Sequence, residues 1–300
     1  MDLWITVTLL AAFFQTLRFV LQKVLRTGTL STLGATFARF AYSAPLVAAG
    51  LAGWLGLTGQ ALPAITPAFW AWSIAGGAAQ VGATACVVAL FGHRNFAVGI
   101  TFKKTEVVQT ALVGFVLLGE RLSAAAVGAI MLGLGGVWLL SGQPGAVVRG
   151  WRRLANRAVG LGLVSGFLFA ISAVGYRAAS LEVASDQPFL RAGVTLAAVT
   201  AMQMAGMAAW LAWREPGQIA AVWRARRVAA WVGLTSLAGS YCWFTAFTLQ
   251  TAALVNAVGQ IELIFSLAAS VLVFRERVRR IELAGILLLS VSILALIWLG

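Results

Sequence analysis

Apolar stretches of roughly 18–25 residues recur along this chain with short polar breaks between them, and that length decides which solvent the chain folds in. At 1.5 Å per residue, about 20 helical residues match a hydrocarbon core some 30 Å thick. A membrane barrel would instead show strands of about 10 residues with alternating polarity. The runs predict ten transmembrane helices, over 3–22, 33–57, 69–91, 96–118, 123–141, 158–178, 189–213, 228–249, 253–274 and 281–299. Only 10% of the residues are charged and 61% are hydrophobic, whereas a soluble domain carries about 25% charge. The expected fold class is all-α integral membrane.

Turn chemistry marks the breaks: Thr27-Gly28-Thr29, Pro63 and Pro67, Gly142-Gln143-Pro144, and Pro216-Gly217. Residues 142–157 form a basic linker with Arg149, Arg152, Arg153 and Arg157, and divide the chain nearly in half. The halves, 1–141 and 158–300, repeat. A shift of 156 positions carries Cys86 onto Cys242, Glu106 onto Glu262, Glu120 onto Glu276 and Arg121 onto Arg277. A slightly smaller offset pairs Lys23 with Arg177 and Phe37-Ala38-Arg39 with Phe189-Leu190-Arg191. Five helices per repeat is an odd number, so the second copy enters the membrane inverted. Inverted repeats of this kind carry their site near midplane, between the halves.

The basic residues sort by side. Fifteen of the twenty-two belong with the loops after helices one, three, five, seven and nine, and the opposite side has only Arg121, Arg177 and Arg191. Arg18, Arg39, Lys103 and Lys104 fall within spans. The positive-inside rule places the basic face in the cytoplasm and both termini in the periplasm. The net charge of +13 therefore reads as topology and contact with membrane lipids, not as nucleic-acid binding. Tryptophans near span ends, such as Trp54, Trp70, Trp210 and Trp223, form an interfacial belt. Met1-Asp2 supplies no basic n-region, so no cleavable signal peptide is expected.

With these residues in view, the sequence resembles the ten-helix EamA-type branch of the drug/metabolite transporter superfamily. The resemblance rests on Leu117-Leu118-Gly119-Glu120-Arg121-Leu122-Ser123 and its echo Phe274-Arg275-Glu276-Arg277-Val278. Phe37-Ala38-Arg39-Phe40 in helix two and the duplication add to it. It implies a central cavity walled by helices one, three, four, six, eight and nine, with helices five and ten outside and sometimes mediating a homodimer. It also implies export of amino acids or other small metabolites across the bacterial inner membrane, without metal or organic cofactor. One departure is the termini, which many relatives keep in the cytoplasm and which the charges here place outside.

Ionisable side chains at bilayer depth are costly and mark function by default. Lys103, Glu106 and Gln109 or Thr110 follow helical spacing and should share one stripe of helix four with Gly99. Glu262 holds the equivalent place in helix nine, with Asn256 and Gln260 on a neighbouring face. Glu106 and Glu262 are candidates to bind a cationic group or carry a coupling proton; alternatively, Glu106 neutralises Lys103 or Lys104 in a structural pair. Arg18 shares a face with Gln15 and Gln22. It either holds a substrate carboxylate or snorkels to the interface near Lys23. Arg18 and Lys103 opposite a glutamate would suit a zwitterion. Arg39 is expected to snorkel or pair structurally. Gln80, Tyr241 and Trp243 are candidate cavity-lining residues, or packing residues.

Catalytic and metal motifs are missing. His93 is the single histidine, and no HExxH, Walker A or Gly-x-Ser-x-Gly pattern occurs. No enzyme activity, metal or cofactor is expected. The leading expectation is secondary active transport by alternating access. The alternatives are a flippase for a lipid-linked intermediate, which a side opening wide enough for a lipid tail would favour, and a passive channel.

Overall fold

The computed structural model describes residues 2–28, 30–93, 96–107, 109, 124–140 and 157–299. Among these the architecture is helical, and the extended pairing consists of one isolated bridge between Ile65 and Val183. The helices are α1 (Leu3–Gly28), α2 (Thr32–Thr58), α3 (Pro67–Leu90), α4 (Phe96–Lys103), α5 (Ala124–Leu140) and α6 (Arg157–Leu181). There follow α7 (Pro188–Arg214), short α8 (Gln218–Arg224), α9 (Arg226–Leu249), α10 (Ala252–Val258), α11 (Glu262–Leu272) and α12 (Arg280–Leu299). Six stretches are long and apolar enough to cross a membrane: α1, α2, α3, α6, α7 and Leu254–Leu272. The remainder of the helix-four span, the Glu120-Arg121 motif and nearly all of the 142–157 linker lie outside the described residues.

Local chemistry sets the helix ends. Ser31 caps α2 by accepting from the Gly34 amide at 2.9 Å. Thr66 caps α3 by accepting from Phe69 N at 3.2 Å, with Pro67 at the first helical position, where no amide is needed. Gly59, in the left-handed region at φ 66°, terminates α2. α1 continues past the expected residue 22 because Lys23 stays helical and its ammonium pairs with Glu276.

The polarity of the molecule is inverted relative to a soluble protein. Leu57, Met131, Ile264 and Leu272 face outward, while Arg18, Arg39, Lys103, Lys104, Glu106 and Glu262 are buried. Water would penalise both arrangements and a bilayer tolerates both, so the chain fits a multi-pass membrane protein. Trp54, Trp70, Trp210 and Trp223 are exposed near helix ends, as an interfacial belt requires.

Packing is pairwise and close. The most extensive pairs are α3 with α6, α1 with α9, and α5 with α12. Lipid supplies little hydrophobic drive between helices, so small residues matter at these crossings. A Cβ on Gly175 would lie 3.1 Å from Gly76 Cα, and one on Gly136 would lie 2.9 Å from Leu289 N.

The loop ends gather in two groups. At one end Lys23 meets Glu276, Ser31 meets Glu215 and Arg26 approaches Gly92. At the other, Thr66 donates to Glu182 at 2.6 Å, Ala184 N bonds Ala64 O, and Arg177 bonds the carbonyl of Gln250. Basic loops after helices one, three, seven and nine thus share the first end.

Two helices carry irregular turns. α4 gives way to a turn at Lys104-Thr105, and α10 is separated from α11 by a tight 3-10 turn, Gly259–Ile261. The turns lie 156 residues apart, Lys104 corresponding to Gln260 and Thr105 to Ile261. The helix expected over 253–274 is present as Leu254–Leu272, tightened by a 3-10 turn within it, and both turns border the buried charges.

Candidate functional site in the helix core

A backbone carbonyl has two lone pairs, so one inside a helical turn can still accept from a side chain. Here Lys104 Nζ takes the Gly259 carbonyl at 2.9 Å, a bond from one irregular turn to the other. The same ammonium lies 2.8 Å from Glu262 Oε2, and Lys103 Nζ lies 2.9 Å from that oxygen. Gln15 Nε2 donates to it at 3.0 Å. Glu262 is 0% exposed and begins α11, where the helix dipole also favours negative charge.

Glu106 is placed differently. Its carboxylate lies 3.9 Å from Lys104 and it lines a central cavity of about 40 Å³ with Gln15, Gln80, Lys103, Ser172, Tyr176, Ser240, Trp243 and Asn256. Phe169, Phe244 and Phe247 complete its apolar wall. That volume holds a few water molecules.

Two guanidiniums flank the cavity. Arg39 is 3% exposed and donates to Ser236 at 2.8 Å, Ser240 at 2.9 Å and Thr84 at 3.3 Å. Arg18 is 2% exposed, donates to Gln22 at 3.0 Å and Gln15 at 3.4 Å, and sits 4.1 Å from the centroid of Phe19. Neither snorkels, because side-chain amides and hydroxyls at depth satisfy both.

Of the residues expected from sequence, Gln15, Gln80, Lys103, Glu106, Trp243 and Asn256 line one cavity. Glu262 lies behind that wall, held by the two lysines, and those lysines approach it more closely than Lys104 approaches Glu106. The stripe expected for Lys103, Glu106 and Gln109 forms in part: Lys103 and Glu106 share the cavity wall, and Gln109 does not join them. The turn at Lys104-Thr105 shifts the helical phase, and Gln109 donates instead to Leu163 O at 3.0 Å; Thr110 lies outside the described residues. Gln260 is buried and donates to Asn256 O at 2.8 Å, away from the cavity lining. Tyr241 is also a correction: its hydroxyl donates to Phe189 O at 3.1 Å and it lines a lateral groove.

Sequence reasoning missed Ser172 and Tyr176 on α6, which stand four residues apart in the mostly apolar middle of that helix, a spacing that could have flagged them. Tyr176 donates to Gln80 at 2.9 Å. Gln203 donates to Gly77 O at 2.9 Å and to Gln80 at 3.1 Å.

Two apolar grooves open sideways. One, of about 640 Å³, lies between α2, α7 and α9 and is lined by residues such as Leu46, Leu51, Phe189 and Leu237. The other, of about 490 Å³, lies between α3 and α7 and includes Ile74, Val81, Met207 and Trp210. No group of three or more potential metal ligands occurs among the described residues.

No family model matches this sequence, and no curated protein does. A solved protein crystal structure is similar over 97% of this chain and 96% of its own, with a TM-score of 0.59 at 17% identity. That likeness concerns the fold alone.

Proposed function

We propose that the chain is a secondary carrier that moves small polar metabolites, such as amino acids, across the bacterial inner membrane, in the outward direction. The observation that carries this reading is a pair of irregular helix turns 156 residues apart, joined by Lys104 beside a polar cavity that Lys103 and Glu106 line. Discontinuous helices meeting at bilayer depth are how inverted-repeat carriers build a substrate site. The packing supports the repeat, since exchanging the halves turns the α3–α6 contact into α9–α1 and leaves α5–α12 unchanged. The grouping of loops after helices one, three, seven and nine at one end supports the charge-sorted topology, with termini outside.

In this reading Glu106 is the working carboxylate and Glu262 is structural. Glu106 faces the cavity, so its charge can be exchanged with a substrate ammonium or a proton. Glu262 is occupied by two lysines. The cavity is smaller than any metabolite, so substrate binds only when the helices part, and water does not leak through while they are together. A gradient drives the cycle, because no nucleotide-binding motif exists in the sequence.

A second reading is favoured by the lateral grooves. Each is walled mainly by apolar side chains, the larger also reaching Asp186 and Gln187 at one end, and an apolar lateral groove is what a flippase for a lipid-linked intermediate needs. The test that separates them compares water-soluble and lipid metabolites on both sides of the membrane in cells expressing wild-type protein or Glu106→Gln. A soluble metabolite should accumulate outside with wild type only. Redistribution of a lipid-linked species instead would favour the second reading, and identical profiles for the two proteins would remove Glu106 from the mechanism.

A further inference from the structure

Cations outnumber carboxylates around the central cavity. Arg18, Arg39, Lys103 and Lys104 are buried there with Glu106 and Glu262, an excess of two positive charges among the described residues. One oxygen of Glu262 is shared by both lysines. Neither arginine has a carboxylate within ion-pair distance among the described residues: hydroxyls of Ser236, Ser240 and Thr84 hold Arg39, and amide oxygens of Gln15 and Gln22 hold Arg18. A guanidinium does not give up its proton, the lysines are bound to a carboxylate, and protonating Glu106 only widens the imbalance. Neutral dipoles soften the cost of a buried charge without cancelling it. The excess is focused on one place, because Lys103 lines the cavity and so do Gln15 and Ser240, the partners of Arg18 and Arg39.

We propose, on the basis of the carrier reading and narrowing its substrates to acidic metabolites in place of neutral or basic amino acids, that the central cavity takes a small organic anion, its carboxylate or phosphate received by Lys103 with Arg18 and Arg39 behind the wall. Such an anion cancels the excess that a zwitterion leaves in place and a cation enlarges. Glu106, on the same wall, accepts a hydrogen bond from a hydroxyl of the same molecule. It thereby orients the molecule with its acidic end towards Lys103.

The test is thermal unfolding of the purified full-length protein with succinate, glycerol 3-phosphate, alanine or lysine. One or both anions should raise the midpoint saturably, while alanine and lysine leave it unchanged. A response to succinate alone marks a carboxylate site, and one to glycerol 3-phosphate alone a phosphate site. Lys103→Gln should weaken that binding by about tenfold or more, the loss expected for one charge-assisted hydrogen bond. Arg39→Lys should retain more affinity than Arg39→Gln, because it keeps the charge. Stabilisation by alanine or lysine without either anion, by none of the four, or undiminished in Lys103→Gln overturns the proposal. The four-probe comparison on the unaltered protein decides the charge class even where a variant does not fold. An anion that binds and is not exchanged across proteoliposomes counts against the carrier reading and leaves the anion site standing.

Discussion

Glu106 and Glu262 are equivalent in sequence and unlike in surroundings, and the difference predicts opposite phenotypes. Glu262 neutralises two buried ammonium groups through one oxygen. Replacing it by Gln leaves both lysines without their main counter-charge, and breaking a buried ion pair from one side costs about 3–5 kcal/mol. Glu262→Gln should therefore lower the unfolding midpoint in detergent sharply, read by tryptophan fluorescence. Glu106 faces a polar cavity and is 3.9 Å from its cation. Glu106→Gln should lower the midpoint less than Glu262→Gln does and yet transport about tenfold less, as loss of a charge-assisted hydrogen bond implies. A reversed order of stabilities would exchange the roles assigned to the two carboxylates. Sequence spacing identified both residues as special, but which one the lysines would hold depends on how two distant helices meet. Spacing within either helix carries no such information.

Among the elements, the close crossings make the second prediction. A Cβ at Gly175 would meet the backbone of α3, 3.1 Å from Gly76 Cα and 3.2 Å from Trp72 O. Backbone cannot rotate away as a side chain can, so Gly175→Ala should destabilise by about 1–3 kcal/mol. Gly160 on the same helix has nothing within 4 Å of an added Cβ, and Gly160→Ala should be neutral or slightly stabilising through helix propensity. Equal effects of the two, in the same unfolding assay, would contradict close packing of α3 on α6. The helices themselves were legible, since a long apolar run has few other ways to satisfy its backbone in lipid. Their irregular turns were not. Lys104-Thr105 and Gly259-Gln260-Ile261 contain no proline, and the bond from Lys104 to the Gly259 carbonyl that stabilises one turn comes from the other. The Lys104-Thr105 turn precedes Gln109, which ends against α6; Tyr241 faces a groove while Ser240 and Trp243 face the cavity because residues three apart share a helix face and the one between is turned about 100° away.

For the whole molecule, the charge distribution governs orientation. Basic loops converge on the end where Lys23 meets Glu276 and Ser31 meets Glu215, and we propose, by the positive-inside rule, that this end faces the cytoplasm. A reporter fused after Gly300 that is active only outside the cytoplasm should give signal, and one active only inside should be silent. The opposite pattern would reverse the topology while leaving the buried site as described. The central claim, that the cavity bearing Glu106 carries substrate by alternating access, is tested most directly by counterflow. Proteoliposomes holding full-length protein are preloaded with the unlabelled metabolite that wild-type expression moves out of cells, and uptake of trace label is followed. The account predicts saturable, transient accumulation of label above equilibrium with wild type, and about tenfold slower accumulation with Glu106→Gln at equal incorporation. Uptake that never exceeds equilibrium, or that proceeds equally in the two proteins, would contradict it.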